Sequence, residues 1–308
     1  MKRGEFNFVW LFAIVAGGAI LILAIYGVSK FGETKDFQTN TELAKQISIL
    51  TDPMQAGFAE GSFGKIIFNK ETKIRNLCYP NEFGKNEILV STKNNKWSSL
   101  TGAVSISNKY IFSTEENAGK EFYVFSKPFN FPYKTADMIF LTTEDYCFVN
   151  SPDEIFEEVD GLNMPNIKVT NCSKNDIKVC FGFGIDCDVT VYGTCVSNCD
   201  SIYDEGTVEK EGEIFRYAGN LLYGAIFSDK DVYDCNVERL MFRSGKITSV
   251  LEGKTDLMNA RNCGTNMKPE LIYWRQLISN SSIDEIISLN SLSKSLELKN
   301  SGELCGLW

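Results

Sequence analysis

The sequence predicts an α+β protein. It has an N-terminal transmembrane helix, then a mainly antiparallel β ectodomain with a helical C-terminal part, stabilised by disulfides. Three observations carry this expectation. Residues 6–28 form an uncharged apolar run, and all ten cysteines lie beyond it. The remaining chain shows short β-rich runs that give way near residue 230 to apolar residues at helical spacing. The chain therefore divides into a head and signal-anchor (1–29), a membrane-proximal helical stalk (30–60) and an extracytoplasmic α+β domain (61–308). That domain is β-rich over 61–229 and helical over 230–308.

The twenty residues Val9–Val28 are enough for a helix to cross a hydrocarbon core of about 30 Å. Trp10 and Tyr26 are spaced as interfacial anchors, and Lys2 and Arg3 hold the N-terminus in the cytoplasm under the positive-inside rule. The expected location is thus the cell membrane, single-pass, with the C-terminal bulk outside. A cleaved secretory signal is the competing reading, but its apolar region is typically about 7–15 residues. Ala13, Ala16, Gly17, Ala24 and Gly27 recur near one side of the helix, a packing face for close approach of a second helix in lipid.

The head Lys2-Arg3-Gly4, followed by Glu5 and the apolar stretch, resembles a class III, type IV pilin-like signal. That resemblance implies cutting between Gly4 and Glu5 with the apolar helix retained. Val9 stands where many pilins carry a glutamate. Phe6-Asn7-Phe8-Val9-Trp10 and Asp231-Val232-Tyr233-Asp234-Cys235-Asn236-Val237-Glu238-Arg239 resemble archaeal envelope proteins, themselves uncharacterised, that join such a head to a cysteine-containing ectodomain. The resemblance implies location and export route, and no activity.

Beyond the span, Thr39 and Glu42 make a capping box for a helix from Asn40 to Leu50, with Leu43, Ile47 and Leu50 on one face and Asp52-Pro53 ending it. Lys65–Phe68 and Lys73–Cys78, around a polar turn, read as a hairpin. Strands are expected at 87–92, 103–107, 121–126, 138–142, 146–149, 167–170, 177–181, 189–192 and 214–217. One helix interrupts them, with Ser151 as cap, Pro152 in its first turn, Glu154 completing the box and Gly161 after its end. Val237, Leu240, Met241, Ile247, Leu251 and Met258 mark a long helix. Pro269 starts another, and Ser282 with Glu285 caps a last one.

The cysteines are Cys78, Cys147, Cys172, Cys180, Cys187, Cys195, Cys199, Cys235, Cys263 and Cys305, an even number on the outer side of a span, which reads as a disulfide framework. Five lie between Cys172 and Cys199, so at least one of these bonds outside the cluster if all are paired. The pairing itself stays open. Structural zinc at Cys180, Cys187, Cys195 and Cys199 is the alternative, without any Cys-x-x-Cys pair to support it.

The chain contains no histidine. That excludes Ser-His-Asp and Cys-His catalysis and His-ligated zinc. Acidic residues outnumber basic ones 40 to 31, a net charge of −9 that disfavours nucleic acid. Asp153, Glu154, Glu157 and Glu158 are the candidates for a glycosidase-type carboxylate pair, against a solvated helix face. Asp200, Asp204 and Glu205 offer oxygens to calcium but lack EF-hand spacing. Gly182-Phe183-Gly184 lacks the lysine of a phosphate loop. Phe122, Tyr123, Phe125, Phe129, Phe131 and Tyr133, around Pro128 and Pro132, are either a stacking surface or inward-facing rings of a β core. Asn171-Cys172-Ser173 and Asn280-Ser281-Ser282 are glycosylation acceptors.

No cofactor and no catalytic residue is expected. The expected function is interaction, by a pilin-like subunit, a surface-filament accessory component or an adhesin. Its partners are the membrane, through one helix, and itself or other envelope proteins. The alternative is an anchored extracytoplasmic hydrolase using paired carboxylates.

Overall fold

The computed structural model describes residues 16, 19–23, 38–48, 51, 63–93, 97–98, 100–195, 199–261 and 263–308. The expected span lies mostly outside them, as do Gly4, Glu5, Ala13, Gly17, Ala24 and Gly27. Within that run, Ala16 and 19–23 are described and helical, with Ile20, Leu21, Ile22 and Leu23 all exposed. Among the described residues no helix is long and apolar enough to cross a membrane.

Alternation of apolar residues builds a central sheet with two buried faces. Its strands are β1 (Phe63–Tyr79), β2 (Lys85–Thr92), β3 (Thr101–Ser107), β4 (Tyr110–Phe112), β5 (Glu116–Asn130) and β6 (Lys134–Thr142), in the order β3-β2-β1-β5-β6-β4. Side chains on a strand point alternately to opposite faces. Tyr123, Phe125, Met138, Phe140, Tyr110 and Phe112 therefore enter one apolar cluster. Their neighbours Phe122, Val124, Ile139, Leu141 and Ile111 enter another.

The second cluster is closed by a helix over 38–48, α1, through Ala44, Ile47 and the half-buried Leu43. Thr39 lies inside this helix rather than capping it, and Leu50 and Pro53 fall outside the described residues. Gly102, at φ 74°, lets α1 pass over β3, since a Cβ there would collide with Thr41. Asn40 is buried, bonded through its Nδ2 to Ser98 Oγ at 3.1 Å. The buried Lys109 reaches the C-terminal end of α1, donating to the Ser48 carbonyl and, at 2.9 Å, to Thr51 Oγ1. A cation at that end meets the unpaired carbonyls and the negative pole of the helix.

The expected hairpin at 65–78 is instead the single strand β1. Both halves pair with β5, and the polar residues between Ile67 and Thr72 form a bulge, not a turn. A run of polar residues is accommodated at a bulge because the extra residues leave the ladder and face water.

The second sheet is mixed, which corrects the mainly antiparallel expectation. It contains β7 (Tyr146–Val149), β8 (Ile167–Lys168), β9 (Ile177–Phe181), β10 (Val189–Gly193), β11 (Glu205–Lys210) and β12 (Glu213–Ala218), in the order β12-β11-β10-β9-β7-β8. The pairs β7–β8, β7–β9 and β9–β10 are parallel, as is β4–β6 in the first sheet. Parallel neighbours need a crossover. For β7 and β8 it is the helix α2 (Asp153–Leu162), which buries Ile155, Val159 and Leu162. Ser151 does not cap α2: Pro152 occupies the cap, Gly161 lies within the helix, and Asn163 at φ 51° ends it. Asparagine tolerates this left-handed position better than most residues.

The C-terminal part is helical, with α3 (Leu221–Phe227), α4 (Lys230–Ala260), α5 (Lys268–Asn280) and α6 (Ile286–Gly302). All seven residues of α3 are buried. Pro269 sits in the first turn of α5, and Ser282 with Glu285 forms the expected capping box, here on a 3-10 turn leading into α6. Lys210 repeats the device used at α1: it donates to the Ile226 carbonyl at 3.3 Å and the Ser228 carbonyl at 2.5 Å, at the end of α3. Burial holds its ammonium below the ordinary lysine value.

Ile47 anchors α1 on the sheet, so Ile47→Ala should destabilise the protein by about 2–4 kcal/mol through the cavity it leaves. The shift of the urea midpoint, at unchanged slope, measures this.

Candidate functional site

The most heavily built polar site is a seam between the first sheet and α4, centred on Arg239. This arginine is 0 % exposed, and among the described residues no carboxylate bonds it. Its Nε donates to the Phe83 carbonyl at 2.9 Å. One terminal nitrogen donates to Asn86 Oδ1 at 2.6 Å and Asn236 Oδ1 at 2.8 Å, the other to the Lys109 carbonyl at 2.9 Å. The guanidinium also lies over the Tyr110 ring, 4.7 Å from its centroid. Burial lowers it to about 10, so it stays charged at neutral pH. Asn86 passes the network to Asn76 at 2.9 Å, and Asn76 and Asn236 both donate to the Ile111 carbonyl, at 3.0 and 2.8 Å.

The Cys78–Cys235 disulfide joins β1 to α4 beside this network. The segment Asp231–Arg239 forms the first turns of α4, with Tyr233, Cys235, Asn236 and Arg239 all buried. Its residues hold helix to sheet. Arg239 Nε and both terminal nitrogens bond within the fold, while the buried Tyr110 hydroxyl beside them has no partner among the described residues.

All ten cysteines are paired: Cys78–Cys235, Cys147–Cys172, Cys180–Cys187, Cys195–Cys199 and Cys263–Cys305. Cys172 is the member of the central cluster that bonds outside it. Among the described residues the one group of three ligand types close enough for a metal is Cys195, Cys199 and Asp204. Two of those three atoms are the sulfurs of a disulfide, which do not bind as thiolates do. Of the calcium candidates, Asp204 accepts from the Asp200 backbone and from Lys294, at 2.9 and 3.0 Å. Glu205 is buried and accepts from Asn290 at 2.8 Å.

The carboxylate candidates come closest to a cleft at the end of α2. Glu154 and Glu158 share a space of about 250 Å³ with Asp200 and Asp204. Glu158 is bound by Lys127 and by the Tyr223 hydroxyl, and Asp204 by Lys294. That volume is below the roughly 300–1,000 Å³ of ordinary ligand pockets. Asp153 and Glu157 are exposed on the helix.

A cleft of about 730 Å³ runs along α4 and α5, with Phe242, Met241, Ile278 and Ile283 in its apolar lining. Most of its charges are neutralised within the fold: Arg275 by Glu252 at 2.6 Å, Lys230 by Asp234, and Asp284 by Arg216. Its four serines, Ser249, Ser279, Ser281 and Ser282, have no histidine to activate them. The aromatic stretch from Phe122 to Tyr133 is core: all six rings are buried, with Phe129 and Phe131 stacked at 5.2 Å. Asn171 and Asn280 are both exposed.

Sequence reasoning missed the Arg239 seam and the cleft of α4 and α5. A lone arginine on the apolar stripe with Tyr233, Val237 and Leu240 was the available signal for the first. Comparison of the chain with protein-family models, curated proteins and solved structures finds no match.

Arg239→Met should cost roughly 3 kcal/mol or more, because three buried acceptors and the part-buried Phe83 carbonyl lose a donor. Arg239→Lys should recover only part, since an ammonium lacks the planar fork. Urea denaturation of the three proteins checks the ranking.

Beside the Cys147–Cys172 bridge, Asp176 accepts from the Ser173 backbone at 2.6 Å and from Lys168 at 3.0 Å. These partners, the backbone bond first, hold its carboxyl below the ordinary 3.8. A depressed acid contributes stability that is complete above its unfolded value and is lost as pH falls through the folded one. Asp176→Asn should therefore lower the melting temperature at pH 7, with the gap to the parent closing below about pH 4. Thermal melts from pH 7 to 2 test the sign.

Proposed function

We propose that this chain is a membrane-anchored, disulfide-stabilised extracytoplasmic interaction protein, a pilin-like or accessory subunit of a surface filament. The seating of α1 carries this reading. An apolar, membrane-length run is followed at 38–48 by an amphipathic helix that buries Ala44 and Ile47 on a central sheet. An apolar run, then a stalk helix, then a sheet is the order expected of a folded domain carried at the end of a membrane helix. The pilin-like head Lys2-Arg3-Gly4-Glu5 and the small-residue face of Ala13, Ala16, Gly17, Ala24 and Gly27 give the route for insertion and for helix packing.

The orientation follows the head, with the N-terminus in the cytoplasm and the C-terminal domain outside. Five disulfides fit that oxidising side. The seam, the cleft of α4 and α5 and the neutralised carboxylates supply structure rather than a reacting group, which supports interaction over hydrolysis.

Mass spectrometry of the native N-terminus is the test. A mature chain beginning at Glu5 is the expected result. An intact Met1–Gly4 head sinks the pilin-like route.

A further inference from the structure

The two glycosylation acceptors of this chain sit in opposite structural settings. Asn280 is the last residue of α5, and its Nδ2 donates to the Gln276 carbonyl at 2.7 Å. Two residues on, Ser282 opens the capping box of the 3-10 turn, its backbone N–H donating to the Glu285 carboxylate at 2.9 Å. The amide of this acceptor is thus taken up by one helix end, whose carbonyls need such donors. Its serine is fixed at the start of the next.

Asn171 stands free by comparison. It lies between β8 and β9 in a run of residues, 170–175, that are all exposed. Among the described residues nothing bonds its carboxamide. Its backbone is left-handed at φ 57°. The base of the loop, in contrast, is pinned. Cys172 is bonded to Cys147 on β7, and Asp176 accepts from the Ser173 backbone at 2.6 Å and from Lys168 at 3.0 Å. The Ser173 hydroxyl has Lys168 Nζ at 3.5 Å, too long for a strong bond. Both groups that define the acceptor, the amide and the hydroxyl two residues on, therefore face water on a loop with a fixed base.

We propose that Asn171 is an N-glycosylation site of this protein and that Asn280 is not. This rests on the extracytoplasmic reading, because such acceptors are modified in exported chains. The donor is an oligosaccharide carried on a lipid phosphate. Asn171 Nδ2 forms a bond to the anomeric carbon, and the bond from that carbon to the phosphate oxygen breaks. The lipid phosphate leaves with the electron pair, and one amide proton passes to a base of the transferase. The position also has a physical use. β8 is the outermost strand of the second sheet, and Asn171 follows shortly after its last residue, Lys168. An uncovered strand edge invites pairing with another chain. A bulky, hydrated glycan beside it opposes that pairing.

Trypsin separates the two acceptors, since Lys168 and Lys174 bound one and Arg275 and Lys294 the other. The test is mass spectrometry of these peptides from the protein purified out of its own membranes, with Ser173→Ala and Asn171→Gln prepared alongside. A glycan mass on the 169–174 peptide is expected, lost completely in both variants, with the 276–294 peptide unmodified. Ser173→Ala leaves Asn171 and the backbone bond to Asp176 in place, so it reads the acceptor motif rather than the fold. An unchanged disulfide map shows that each variant folds. An unmodified 169–174 peptide, a glycan that survives Ser173→Ala, or a glycan on the 276–294 peptide overturns the assignment. Labelling intact cells with a membrane-impermeant lysine reagent distinguishes this from a failure of the location. A labelled domain without a glycan overturns the site and leaves the extracytoplasmic reading standing. An unlabelled domain with neither peptide glycosylated overturns both.

Discussion

One buried charge organises the junction on which the two halves of the fold depend. Arg239 must stay protonated, and with no carboxylate at hand its charge is met by carbonyl and amide oxygens from the β1–β2 turn, β2, the approach to β4, and α4. An unpaired guanidinium in a dry interior costs several kcal/mol. The junction therefore tolerates only one arrangement of turn, strand and helix. Gly84 shows how tight it is: at φ 55°, it sits where a Cβ would collide with the Tyr79 carbonyl and press on Arg239 itself. The neighbouring Cys78–Cys235 bond, spanning 157 residues, fixes the same two elements covalently.

The central sheet imposes the second constraint. Because β4, β5 and β6 are apolar on both faces, both must be covered, one by α1 and the other by the cluster that includes α3 and α4. Helices that end against such a core leave carbonyls without partners. Lys109 at α1 and Lys210 at α3 supply donors from strand residues or the turn beside them. Their long apolar stems cross the buried layer while the ammonium reaches the helix end. The acidic composition says nothing of this, since both lysines work inside the fold and not on its surface.

How much was legible follows from the kind of signal each element carries. Short β-rich runs placed β2, β3, β7, β9 and β10 closely, and proline and the Ser282–Glu285 box placed the starts of α5 and α6. Alternation does not encode partners, so β1 was split at its polar bulge, and the helix between β7 and β8 was not read as the crossover that makes them parallel. The short helix α3 was missed because Leu221-Leu222-Tyr223-Gly224-Ala225-Ile226-Phe227 is buried on every side and shows no period. The aromatic stretch could be read either way, and pairing decided it: β5 lies between β1 and β6, with no free edge on which its rings could serve a ligand. The exposed loop tip at Phe183 and Ile185 was visible only as a failed phosphate loop. That two cysteines enclosed an apolar, glycine-braced turn without a lysine was the better signal.

The disulfides separate what stabilises the fold from what shapes its surface. In the chain-entropy picture a bridge spanning 157 residues contributes about 5 kcal/mol and one spanning 4 or 7 about 2. Cys78–Cys235, with Cys263–Cys305, thus restrains the unfolded chain. Cys180–Cys187 and Cys195–Cys199 add much less of that, and the first instead fixes the conformation of the loop between β9 and β10. A loop needing only stability would gain more from a longer bridge or a polar tip. Holding Phe183 and Ile185 outward in one geometry does nothing for the core, and in water it is an unfavourable placement of apolar surface. The short bridge and the left-handed Gly182 and Asp186 therefore act on the shape of the surface, whereas the long bridges act on the unfolded chain.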